Sequence, residues 1–138
     1  MKSLRITLGL VALATAAAVH GEGKAPPVAL KGNDPVSYFT GPRPVKGASR
    51  LAYDFDDTRY LFASPKNKEL FSADPDRYAP QFSGLCTTGL SMGMKTQADP
   101  NVYLVKDGKL YVFSSAEARE EALKDPAVIE RARQNFEK

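Results

Sequence analysis

The chain has 138 residues and a formal net charge of +3, with one cysteine, one histidine, three methionines and no tryptophan. That length supports one domain with a modest core, and a lone cysteine excludes an internal disulfide. Lys2 and Arg5 are the only charges in the first 21 residues, so the net charge beyond them is +1, which leaves no electrostatic case for nucleic acid.

Residues 1–21 read as a secretory signal. Lys2 and Arg5 precede the apolar, alanine-rich run 6–19, which is too short for a comfortable membrane span. Cleavage would place the protein in the periplasm or outside the cell. If the leader is retained, it is the one segment that would touch a membrane. Residues 22–30 are polar and proline-containing, a flexible lead-in to a single domain over 31–138.

Val28 to Leu30 fits a brief strand or turn. Asp34-Pro35 is a helix-start signal, because Asp can cap and Pro suits the first helical position. The resulting short turn would bury Val36 and Phe39. Residues 41–47 are a loop by composition. Residues 51–55 and 59–62 flank Asp56-Asp57-Thr58 as a hairpin. Ser64-Pro65 opens a helix to about Ser72, with Leu70 and Phe71 facing inward. Asp74-Pro75 begins a further turn that carries Tyr78 to the core.

Residues 84–93 fit either a helix interrupted at Gly89 or a loop. Asp99-Pro100 restarts the chain. Residues 102–105 and 109–113 surround Asp107-Gly108, the strongest hairpin signal in the sequence. Ser115 caps a helix to about Leu123, and Asp125-Pro126 starts a last one over 127–136, with Val128, Ala132 and Phe136 on one stripe. The expected class is α+β: two β-hairpins forming a small antiparallel sheet with helices packed on one side. Hairpin followed by helix occurs twice, but without a repeat evident residue by residue.

From Lys31 to about Leu110 the chain resembles the YHS domain family, and in particular its small exported bacterial members. Gly32-Asn-Asp-Pro-Val-Ser-Tyr-Phe39, Pro44-Val-Lys-Gly47 and Phe62-Ala-Ser64 carry the likeness, with Asn67 and Phe71 after them. Asp74-Pro75-Asp-Arg-Tyr78-Ala-Pro80, Gly84-Leu-Cys86, Asp99-Pro100 and Asp107-Gly-Lys-Leu-Tyr111 complete it. The resemblance implies a small YHS/TRASH-like α+β module. In the metal-associated members, cysteines occupy the positions that here hold Ser37, Ala63 and Asn67, so a cysteine-rich zinc or copper site of that type is not expected. Cys86 resembles a feature of the exported branch.

Beyond the leader the sulfur inventory is Cys86, Met92 and Met94, and no imidazole follows His20. That excludes a Cys-His hydrolase and leaves Ser91 without a histidine partner. Thiolate and thioether suit copper(I), so Cys86, Met92 and Met94 form a candidate soft-metal set. On one uninterrupted helix Met94 would lie about 80° from Cys86 and Met92 about 240° away, so convergence needs a break at Gly89 or Gly93. The competing readings make Cys86 a reactive thiol or a small buried core residue. Asp34, Asp74, Asp99 and Asp125 each precede Pro, which marks turn and helix starts rather than acid–base chemistry. Tyr38 and Tyr78 are the candidate ligand-binding side chains of any pocket beside Cys86.

The expected function is a non-enzymatic exported binding module. It would take a small ligand, a soft metal ion such as copper or an exported protein partner near residues 84–94. A thiol-dependent redox protein using Cys86, or a structural partner-binding module with an inert Cys86, is the alternative.

Overall fold

The structure is a computed structural model and describes residues 23–138. The expected leader and His20 lie outside the described residues. The class is α+β. A 3-10 turn over Ala29–Gly32 leads to α1 (Ser37–Thr40), β1 (Ala48–Phe55), β2 (Thr58–Phe62), α2 (Pro65–Ala73) and α3 (Pro75–Tyr78). A second 3-10 turn over Gln81–Gly84 leads to α4 (Thr87–Ser91), β3 (Asp99–Lys106), β4 (Lys109–Phe113), α5 (Ala116–Lys124) and α6 (Ala127–Phe136).

That order is one unit traversed twice. From the hairpin onward the second copy follows the first at a spacing of 51 residues: Ala48↔Phe62 pairing becomes Asp99↔Phe113, and each ladder carries a register shift at the same place. Ser64 and Ser115 cap α2 and α5, accepting from Asn67 N–H and Ala118 N–H. Asp74-Pro75 and Asp125-Pro126 open α3 and α6. The entry turns match as well. Leu30 and Lys31 are left-handed before Gly32 at φ 86°, and Phe82 and Ser83 are left-handed before Gly84 at φ 75°. The residue-level repeat not apparent in the sequence is therefore present in the backbone.

The two hairpins form two separate two-stranded antiparallel ladders rather than one sheet. The reason lies at the strand edges. Val28 bridges Arg59 of β2, while Pro80 and Cys86 bridge Leu110 and Val112 of β4. Each second strand is thus flanked by the chain entering its own repeat, which covers the edge a joined sheet would use.

The first repeat packs around Phe71, whose ring lies 4.6 Å from that of Tyr60 and 5.2 Å from that of Phe62. Leu70 was expected inward beside Phe71, but it is 37% exposed. The Ser64 cap fixes the rotation of α2, and the step of about 100° per residue turns Leu70 away as Phe71 enters. Likewise Tyr38, and not Phe39, is the buried ring of α1. The second repeat has Ala122 where the first has Phe71. There the longer α6 supplies Val128, Ile129 and Ala132 to a cluster with Cys86, Leu90 and Phe113. Phe136, expected on the same stripe, is largely exposed and lies against Phe82 with ring centroids 5.7 Å apart. A smaller cluster of Tyr38, Leu110 and Val112 joins the repeats.

Candidate functional site

Cys86 is the N-cap of α4 and is 1% exposed. Its Sγ accepts Gly89 N–H at 3.4 Å and Ser114 N–H at 3.2 Å, and the thiol donates to Ser114 Oγ at 3.3 Å. Ser114 directly follows β4. Thr87 Oγ1, on the next residue, is buried and has no hydrogen-bond partner among the described residues.

The first repeat builds the same junction around Asp34. Asp34 Oδ1 accepts Val36 N–H at 2.8 Å, and Oδ2 accepts Ala63 N–H and Asn67 Nδ2 at 2.8 Å each. Ser37 Oγ donates to the Asp34 carbonyl at 2.6 Å. Ser37, Ala63 and Asn67, at the positions where the family resemblance would place cysteines, gather around Asp34. None offers a thiolate, and the carboxylate oxygens are already taken by N–H donors, so the set does not fit a thiolate metal site.

Met92 and Met94 sit at the other end of α4, 59% and 50% exposed. The helix runs through Gly89 and stops at Met92, where Met92 N–H, Gly93 N–H and Met94 N–H return to Gly89 O and Leu90 O. Cys86 thus belongs to the core while both thioethers lie at the surface. Among the described residues no group of three or more His, Cys, Asp or Glu could hold a metal ion.

A cleft of about 830 Å³ is lined by both repeats. The two left-handed turns contribute Leu30 and Lys31 from one side and Phe82, Ser83 and Gly84 from the other. Left-handed backbone at non-glycine residues costs roughly 1–2 kcal/mol each, and such strain concentrates at functional positions. Ser114 also lines the cleft, so the Cys86 thiol lies one hydrogen bond behind its wall.

The structure places the two candidate tyrosines differently. Tyr38 is a tie between the repeats: its hydroxyl donates to Pro100 O at 2.6 Å, accepts from Asn33 Nδ2 at 3.2 Å, and its ring meets Tyr103 edge-on at 4.9 Å. Burial pushes its pKa up to about 12, against the opposing effect of the Asn33 hydrogen bond. Pro100 lines the cleft, whereas Tyr38 itself is behind it. Tyr78 packs edge-on against Phe39 at 5.4 Å, beneath the Arg77 guanidinium. The tyrosine on the cleft wall is Tyr60, which the sequence reading did not single out. It is 6% exposed, and nothing among the described residues accepts from its hydroxyl. Burial, and after it the Asp56 carboxylate, raise its pKa to about 12. Its place at a β2 position spaced two from Phe62 was the available signal.

Residues 36–82 match the family model of the YHS domain. The chain carries a YHS domain. The matched segment runs from the cap of α1 into the second 3-10 turn, so it covers the first repeat from α1 onward and leaves out its entry turn and Asp34. The likeness quoted beyond residue 82, in Gly84-Leu-Cys86, Asp99-Pro100 and Asp107 to Tyr111, lies outside the matched segment. No curated protein and no solved structure matches the chain.

Proposed function

We propose that this YHS-domain protein is an exported, non-enzymatic binding module that holds a small organic ligand in the cleft between its repeats, beside Cys86. The cleft itself carries this reading. Its volume of about 830 Å³ falls in the range of small-molecule sites, and its lining combines aromatic residues with the polar Gln97 and Ser114. Export rests on residues 1–21 of the sequence alone.

A fragment screen read by amide chemical shifts tests it. Hits should perturb residues 82–84 and 97–100 together with Tyr60, and Gln97→Trp, at an exposed wall position, should abolish them. Fragments that bind only outside the cleft would overturn the proposal. Copper(I) is the competing occupant, with Cys86, Met92 and Met94 as ligands. It would require the Cys86 sulfur to give up its present hydrogen bonds. Competitive titration with Cu(I), repeated on Cys86→Ser and on the Met92→Leu/Met94→Leu pair, decides between them.

The nearness of Ser114 to both thiol and cleft favours one second reading, a thiol-dependent redox role for Cys86. Buried and bonded as it is, Cys86 should be alkylated only as fast as the fold opens. An alkylation rate equal to that of a free thiol would support the redox role.

A further inference from the structure

The cleft walls are acidic as well as aromatic. Asp56, Asp76 and Asp99 line it, against one basic side chain, Lys31. Among the described residues, none of these three carboxylates takes part in an ion pair; the paired acids are Asp54, Glu120, Asp125 and Glu130. The nearby Lys46 ammonium is held on the Lys31 carbonyl and is not part of the wall. Asp99 Oδ1 accepts Asn101 N–H at 2.9 Å, which fixes one carboxylate without neutralising it. The same walls include Phe55, Tyr60, Phe82 and Phe136. The buried Tyr60 ring presents a hydroxyl without a partner among the described residues. Carboxylates that lack cations, set beside aromatic faces, favour a positive charge on an apolar body, through both Coulomb attraction and the ring quadrupole.

We infer that the cleft selects small organic cations, amphipathic amines whose ammonium is drawn to the Asp56, Asp76 and Asp99 wall while the apolar part packs on Tyr60, Phe82 and Phe136. This inference rests on the reading of the cleft as a ligand site and adds the chemical class of the ligand. Anionic and neutral compounds of the same shape bind less well.

Three probes of matched shape test it on the purified protein: phenethylamine, 2-phenylethanol and 3-phenylpropionate, titrated by amide chemical shifts at low salt. The amine should bind tightest and the carboxylate weakest, and added salt should narrow the gap. Asp56→Asn, Asp76→Asn and Asp99→Asn should each weaken amine binding by about threefold to fivefold and leave the alcohol unchanged. These variants keep the fold accessible. Asp56 has φ 50°, a conformation that asparagine adopts readily, and in Asp99→Asn the side-chain amide oxygen can still accept from Asn101 N–H. If alcohol and acid bind in the cleft as well as the amine, the charge inference fails and the cleft reading stands. If the triple Asn variant keeps the amine preference, the carboxylates are not its source and the inference fails. If none of the three probes shifts a cleft resonance while other fragments do, the inference fails alone. If no fragment binds there, both readings fail.

Discussion

Asp34 and Cys86 occupy the same place in the two repeats. Each stands between a left-handed turn and a short helix, each accepts an N–H from the start of that helix, and each accepts the N–H of the residue that follows the second strand, Ala63 or Ser114. One hub is a carboxylate and the other a thiol. The difference follows from what surrounds them. Asn67 adds an amide donor to Asp34, whereas the matching residue in the second repeat is Ala118, which has no side-chain donor. A weak acceptor suffices where fewer donors converge.

Removing the first hub should be costly. Asp34→Ala orphans Val36 N–H inside the core, at about 1–3 kcal/mol, and takes the acceptor from Ala63 N–H and the Asn67 amide, which are less buried and can turn to water. The expected loss is roughly 2–3 kcal/mol, read from urea unfolding at unchanged m-value. Asp34→Asn should lose less, since an amide oxygen can still satisfy one backbone donor. A wild-type midpoint for Asp34→Ala would show that the hub contributes little to stability.

The equivalence of the hubs can be tested by exchange. Cys86→Asp puts a buried carboxylate where Gly89 N–H, Ser114 N–H and a reoriented Ser114 hydroxyl can reach it, and should still destabilise by about 2 kcal/mol through the cost of burying the charge. Adding Ala118→Asn supplies the donor that Asn67 provides in the first repeat. The double variant should recover about 1 kcal/mol relative to Cys86→Asp. Additive losses would mean that the two sites do not share geometry at the side-chain level.

Much of this was legible from local chemistry. The Ser64-Pro65 and Ser115 caps, the Asp-Pro starts at Asp34, Asp74 and Asp125 and the Asp107-Gly108 turn each depend on neighbours a few residues apart, and each element appears close to where those residues put it, whereas Asp99-Pro100 opens strand β3. The repeat was harder to read because its most telling pair, Asp34 and Cys86, differs in chemistry, and because Phe71 is matched by Ala122 with α6 supplying the missing bulk. Tyr60, Phe62, Ser64 and Asp74-Pro75 do recur 51 residues later as Tyr111, Phe113, Ser115 and Asp125-Pro126. The cleft could not be read, because its walls come from residues as distant as Val28 and Phe136. Similarly, the sequence spacing of the sulfurs said nothing of burial, which separates Cys86 from Met92 and Met94.

Gly47 marks a difference between the repeats. A Cβ there would run into the backbone of Leu61 and Phe62, and Gly47 N–H bonds to Gly32 O at 2.8 Å. Backbone cannot yield as a flexible side chain does, so Gly47→Ala should cost about 2 kcal/mol or more. The matching position in the second repeat is already Ala98, packed against the core. Ala98→Gly should therefore cost no more than about 1 kcal/mol, by added chain entropy. Equal losses at both sites in thermal or urea unfolding would refute the asymmetry.

Alkaline pH should destabilise the fold through Tyr38 and Tyr60. Both titrate near 12 in the folded state, against 10 in an exposed tyrosine, because burial disfavours the phenolate. Below pH 10 both states hold the proton and the contribution is fully present. Between pH 10 and 12 the unfolded chain releases protons that the folded chain keeps, so stability falls as pH rises. Phenolate absorbance should show Tyr38 and Tyr60, together with Tyr111, which burial also shifts upward, titrating later in the native protein than in urea. Tyr60→Phe should remove one of the late groups. Native titration of all six tyrosines near 10 would contradict the burial of these two hydroxyls.

Thr87 offers a test with the opposite sign. Its hydroxyl is fully buried next to Cys86 and finds no partner among the described residues, so folding strips it of water without replacement. Thr87→Val keeps the branched shape and removes the polar atom. The expected result is a gain of about 1 kcal/mol in urea unfolding, with the Cys86 alkylation rate falling in step as opening becomes rarer. A loss of stability would mean that the hydroxyl is satisfied in solution by a buried water. In that event the region around Cys86 is wetter than its packing implies, and the thiol should then react faster than global opening allows.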